Sequence, residues 1–169
     1  KDTTNKYADD PAAAKLGQAL FHDKRFAGPI VVGSDGTNGG NGQVGETGKI
    51  ACASCHDSTH AWIDTRSKPN TTSLGANWVV RNASSILNAS YYTWLENDGL
   101  RDSQWSDSLT DPEDPGSMNG SRLRIAHVLW NKYKDQYNSI FKEYPLPAAL
   151  DPAAPDAARF PADAKPSDP

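Results

Sequence analysis

Apolar positions fall at helical spacing in two stretches of the chain and scatter elsewhere. Over residues 10–21, Ala13, Leu16 and Leu20 make one stripe, with Asp10 placed as N-cap and Pro11 at the first helical position. That pattern predicts a short helix. Residues 121–131 carry the clearest signal. Leu123, His127 and Trp130 share a face that Ile125, Val128 and Leu129 widen, and Tyr133, Tyr137, Ile140 and Phe141 continue it through 132–142. Shorter helical turns are expected at 50–56 and 102–109, while the Asn-, Ser- and Thr-rich residues 64–90 read as irregular. No alternating run is long enough for a strand, and no internal repeat occurs. The fold class is mainly α, with long irregular loops.

Two segments depart from this pattern. Residues 33–48 hold seven glycines in sixteen positions and read as a flexible surface loop. It contains no phosphate-binding glycine motif. Residues 145–169 hold seven prolines and eight alanines, so they have little to bury and read as a linker or an arm toward another domain. Residues 1–144 are then the single folded domain.

Apolar residues make up 37% of the 169, which is lean for a self-sufficient core. No stretch approaches the ~18 apolar residues of a membrane span. Residues 1–10 have no apolar segment of the signal-peptide type, so any such peptide is expected to have been removed already. The net charge of −4 argues against nucleic acid as a partner, because phosphate backbones select basic patches.

The two cysteines change the picture. Residues 52–56 read Cys-Ala-Ser-Cys-His, the C-x-x-C-H pattern of covalent haem attachment. Positions i, i+3 and i+4 share one face of a helical turn. Cys52 and Cys55 can form thioethers to the two haem vinyl groups while His56 points its imidazole at the iron. Two cysteines placed at random fall three apart with a histidine next in roughly 1 case in 3,500. A thioredoxin-like pair would need a βαβ context, and a structural zinc site a second pair of ligands; neither is present.

The sixth iron position stays open between two readings. Met118, the sole methionine, lies in a Pro-Gly-Ser-Met-Asn-Gly loop and offers a thioether; the other reading is an open or water-bound site. His60 follows His56 too closely to reach the opposite face and reads as a surface residue. His127 reads as a packed core histidine, and His22 as a surface or capping residue. Trp78 and Trp94 are candidate walls of a haem crevice, as is Trp62.

Over Leu16-Gly17-Gln18-Ala19-Leu20-Phe21-His22-Asp23-Lys24-Arg25-Phe26, over Cys52 to His56, and over Arg81-Asn82-Ala83-Ser84-Ser85-Ile86-Leu87-Asn88-Ala89, the chain resembles the bacterial di-haem cytochrome c peroxidases and their tryptophan-oxidising relatives. Asp98-Gly99, Ser121-Arg122-Leu123 and Arg159-Phe160-Pro161-Ala162 extend the likeness. The resemblance implies a cytochrome c-like haem domain, the first of two, in a periplasmic or extracellular protein. It implies that peroxide is cleaved at this haem, and that a second haem domain or chain takes electrons from a small cytochrome c or cupredoxin. It also implies a calcium ion between the domains, with Asn82 at the matching position.

Several positions differ from that family's pattern. Asn97 and Leu100 stand where a Trp-Asp-Gly-Arg motif has Trp and Arg, and Asp107 stands for the expected Gln. Ser117-Met118 replaces a Glu-Met pair whose Glu serves as acid and base, and Gly75-Ala76-Asn77-Trp78 lacks a capping His. Peroxide cleavage needs a positioned proton carrier, worth ~10²–10⁴ in rate. Either Asp107, Glu113 or the neighbouring Asp114 takes that role, or peroxidase activity is weak. Asp107 and Glu113 are the expected catalytic residues, and an electron-transfer cytochrome without peroxide chemistry is the alternative.

Overall fold

A computed structural model of the chain describes residues 4–68 and 71–165. Helix α1 spans Pro11–Phe21, and the Asp10 carboxylate accepts from the amides of Ala12 and Ala13 at 2.7 and 3.1 Å. Leu16 is the side chain it buries fully, and His22 closes the helix with Nδ1 3.0 Å from the Gln18 carbonyl. The capping role expected for His22 is what the structure shows. Next, buried Asp23 accepts from the Arg25 amide and guanidinium and from the Tyr133 hydroxyl, at 2.9 Å for Tyr133. This ties the 3₁₀ turn at Lys24–Phe26 to the long last helix.

Helix α2 is the single turn Cys52–Cys55, started by a hydrogen bond from the Ala51 amide to the Ser54 hydroxyl at 3.0 Å. Helix α3 runs Gln104–Glu113 behind the Ser103 cap, past the end expected at 109. Pro112 sits in the final turn, where its missing amide forfeits a single backbone bond and so ends the helix rather than breaking it. Helix α4, Arg122–Ile140, merges the expected segments 121–131 and 132–142 into 19 residues. Its Ser121 cap is fully buried and accepts from the Arg124 amide at 3.0 Å. The described residues of 64–88 are irregular as expected, a 3₁₀ turn follows at Ala89–Tyr91, and among the described residues pairing between extended segments is limited to isolated bridges such as Asp57–Ile63. No described helix is long and apolar enough to cross a membrane.

The core joins Phe26, Ala27, Ile30, Ile50, Ala76 and Met118, with Leu20, Cys52, Ile125 and Val128 packed against it. Backbone segments cross closely here. A Cβ on Gly28 would stand 1.9 Å from the Asn119 carbonyl oxygen, and one on Gly75 2.2 Å from that of Ser117. Only glycine permits this approach. Met118, read from sequence as part of a flexible loop, is 3% exposed because of it.

Two segments make more contacts than expected from their residues. The 33–48 segment is tied to its surroundings by hydrogen bonds. Gly45 donates to Ile30 and Ile30 to Glu46 at 2.8 and 2.9 Å, and Asn41 bridges the Leu74 carbonyl and the Arg66 guanidinium. Asp35 accepts from the Thr37 and Asn38 amides, so polar side chains supply the order that apolar ones do not. The tail also buries more than its composition promises. Ala149 and Leu150 are buried, His127 Nε2 donates to the Phe160 carbonyl at 2.7 Å, and Lys165 donates to Asn119 at 2.7 Å. An Arg124–Asp163 ion pair adds to these. Residues 145–165 thus lie along α4 of this same chain; 166–169 fall outside the described residues.

Candidate haem site

The turn of α2 opens onto a cavity of about 730 Å³, a volume within the ~300–1,000 Å³ typical of cofactor pockets. Cys52, Cys55 and His56 all line it, together with apolar side chains that include Leu20, Phe21, Ile50, Leu95 and Ile125. Burial pushes both thiols up to about 11, against a slight opposing pull on Cys55 from Arg66, whose guanidinium lies 3.3 Å from its Sγ. Thiols held neutral in an apolar wall are unlike a redox-active pair, which needs a depressed thiol pKa.

His56 is oriented by its neighbours. Its Nδ1 lies 3.1 Å from the Trp62 carbonyl oxygen, which can only accept. Nδ1 therefore carries the hydrogen, and Nε2 keeps its lone pair for a metal. The segment that delivers this carbonyl is folded tightly. Trp62 donates to the Asp57 carbonyl at 2.8 Å, and Ala61 and Trp62 both take left-handed backbone conformations with φ of 54° and 62°. Phe21 stacks edge-on against Trp62 with centroids 5.7 Å apart. Two neutral thiols, an imidazole nitrogen directed by its neighbour and an apolar cleft fit a haem.

Two carboxylates face the same cavity and a third lies beside them. Asp107 and Asp111 of α3 both line it, and with Glu96 their oxygens fall within 4.8 Å of one another. Burial, reinforced by Asp107 and Glu96, pushes Asp111 up to about 7. Burial also raises Asp107 and Glu96. One oxygen of Asp107 is buried without a hydrogen-bond partner. Arg101 stands 3.1 Å from Glu96 as an ion pair. Asp111 was missed in the sequence; its spacing of four from Asp107, on one helical face, was the available signal.

The remaining expected site residues divide between the cavity and the rest of the fold. Glu113 does not line the cavity, because Arg122 takes both its oxygens through Nε and Nη2 at 2.9 and 2.6 Å and holds it below the usual carboxylate range. Trp78 and Trp94 are 39% and 62% exposed and are not among the lining residues. Met118 and Ser117 do line it. The Asn82 amide is engaged within the chain, accepting from the Ser73 hydroxyl at 2.9 Å and donating to the Asp64 carbonyl at 3.0 Å. Exposed His60 pairs with Asp57, as a surface residue would.

A family model described as di-haem cytochrome c peroxidase matches residues 11–160. No curated protein matches the chain.

Proposed function

The chain belongs to the di-haem cytochrome c peroxidase family, and from that membership we propose that it holds haem c and reduces hydrogen peroxide with electrons from a small redox protein. The observation that carries this reading is a single cavity in which Cys52, Cys55 and His56 meet the carboxylates of α3. Cys52 and Cys55 would hold the haem by adding S–H across its two vinyl groups, each forming one C–S and one C–H bond as the S–H bond and the vinyl π bond break, with no net oxidation. His56 Nε2 would hold the iron, its basicity raised by the hydrogen bond from Nδ1 to the Trp62 carbonyl. Haem, when bound, supplies the iron at which the O–O bond is cleaved. The overall change consumes two electrons and two protons per peroxide and yields two waters.

The chain's own residues handle the protons. Asp107 takes the catalytic part that its position in the cavity permits, while Glu113 serves structure instead. Apolar side chains limit water in the cleft and strengthen each charge that remains. A second haem domain or chain, a cytochrome c or cupredoxin donor, and a periplasmic setting complete the reading. Asn82 is the residue offered to a calcium ion at the domain interface, through whatever acceptor capacity its bond to Ser73 leaves.

One observation favours a second reading. Met118 is buried and lines the cavity, so a thioether-ligated electron carrier is the competing assignment. Optical spectra of the haem-loaded protein, with and without peroxide, separate the two. A high-spin ferric spectrum that changes within seconds supports the peroxidase. A low-spin spectrum that ignores peroxide and turns high-spin in Met118→Leu supports the carrier.

A further inference from the structure

The carboxylates of α3 sit too close together to be independent. Asp107 and Asp111 are one helical turn apart, both face the cavity, and Glu96 approaches from the loop before α3. Glu96 has Arg101 as its partner at 3.1 Å. Asp111 faces mostly negative or neutral groups: Asp107 and Asp114 from its own helix and its end, Glu96 from the loop, and the Cys52 and Cys55 thiols from α2, with Arg101 opposing. His56 bears on Asp107 instead. The unpartnered, buried Asp107 oxygen is an acceptor awaiting a donor. A buried acceptor of this kind is costly unless a proton is supplied nearby.

We propose that Asp107 and Asp111 share one proton that rests on Asp111, and that Asp111 delivers it to an oxygen of a small ligand in the cavity. This deepens the peroxidase reading, on which it rests, and gives the proton a route that does not need a glutamate at position 117. In the transfer the Asp111 O–H bond breaks and a new O–H bond forms on the ligand oxygen. Asp111 is left a carboxylate, which regains a proton from bulk water; no electron moves. Its shift to about 7, caused first by burial and then by Asp107, is consistent with a carrier poised near neutral pH. The two groups titrate as a pair, so replacing one must move the other.

Infrared difference spectroscopy of the haem-loaded chain tests this directly. A carboxylic acid C=O band should fade as pH rises through about 7. It should be absent in Asp111→Asn, persist in the surface control Asp102→Asn, and return in Asp111→Glu. In Asp107→Asn it should titrate at lower pH, since a negative neighbour is gone. No acid band titrating near neutral pH in the unsubstituted chain, or a band that survives in Asp111→Asn, overturns the proposal. Peroxide kcat/KM should fall about 100-fold in Asp111→Asn and recover in Asp111→Glu. A chain that shows the titrating band yet is inert to peroxide would contradict the peroxidase reading and leave the shared proton standing.

Discussion

The Nδ1 nitrogen of His56 lies 3.1 Å from the backbone oxygen of Trp62, six residues on. The bond exists because the chain between them reverses through two consecutive left-handed residues, Ala61 and Trp62. Left-handed backbone costs a non-glycine residue roughly 1–2 kcal/mol. The strain is concentrated beside the imidazole, where it selects the tautomer with Nε2 free.

Ala61 offers a test of that strain, since it is exposed and its side chain is only a methyl group. Ala61→Gly should be neutral to stabilising by up to about 1 kcal/mol, the relief being offset by greater freedom of the unfolded chain. Ala61→Val should destabilise by more than about 1 kcal/mol. Thermal unfolding of both variants checks the order.

Arg66 fastens the 33–48 segment to the Cys52–Cys55 turn. It reaches Asn41, the Leu74 carbonyl, the Cys55 sulfur and the fully buried Asp64 carboxylate, the last at 2.7 Å. Arg66→Met leaves Asp64 charged and partly unpaired, at a cost of about 3 kcal/mol. Urea unfolding should show this loss, and adding Asp64→Asn should recover part of it.

Glu113 separates a sequence assignment from a structural one. Glu113→Gln should leave peroxide reactivity within a few-fold while weakening the tie to Arg122, at about 1 kcal/mol or less because Arg122 is exposed. A loss on the scale expected for Asp111→Asn would put Glu113 back among the proton carriers.

Stability should depend on pH with a definite sign. Asp111 rises from 3.8 to about 7 on folding, and Asp107 and Glu96 shift the same way. Between about pH 4 and 7 the folded chain therefore binds more protons than the unfolded one, so stability falls as pH rises through this window. Asp23, Asp64 and Glu113 are lowered, so their contributions are lost only at more acid pH. Denaturant midpoints across this range should decline in the unsubstituted chain and flatten in Asp111→Asn. The slope per shared proton is at most about 1.4 kcal/mol per pH unit.

Local patterns made much of the fold legible. The Asp10 cap, the Leu16 stripe and the long apolar face of α4 follow from spacing alone, and the C-x-x-C-H run marked the turn that opens onto the cavity. What spacing did not show was set by contacts distant in sequence. Met118 is buried because Gly28 and Gly75 let three backbone segments approach. Trp78 and Trp94 are aromatic yet stand outside the cavity, where residues such as Leu20 and Ile125 form the wall instead. Glu113 and Asp111 are two residues apart on α3, and only packing decides that one meets Arg122 and the other faces the cleft. The order of 33–48 rests on Arg66 and Asn41, polar groups whose pairing no periodicity encodes.

The most direct measurement is the intact mass of the denatured, purified chain together with its absorption spectrum. The account predicts one covalently held haem, a Soret band, and no thiol at Cys52 or Cys55 left to alkylate. Cys52→Ala with Cys55→Ala should lose covalent attachment, and His56→Ala should change the axial ligation seen in the spectrum. A colourless chain with both thiols open to alkylation would contradict it.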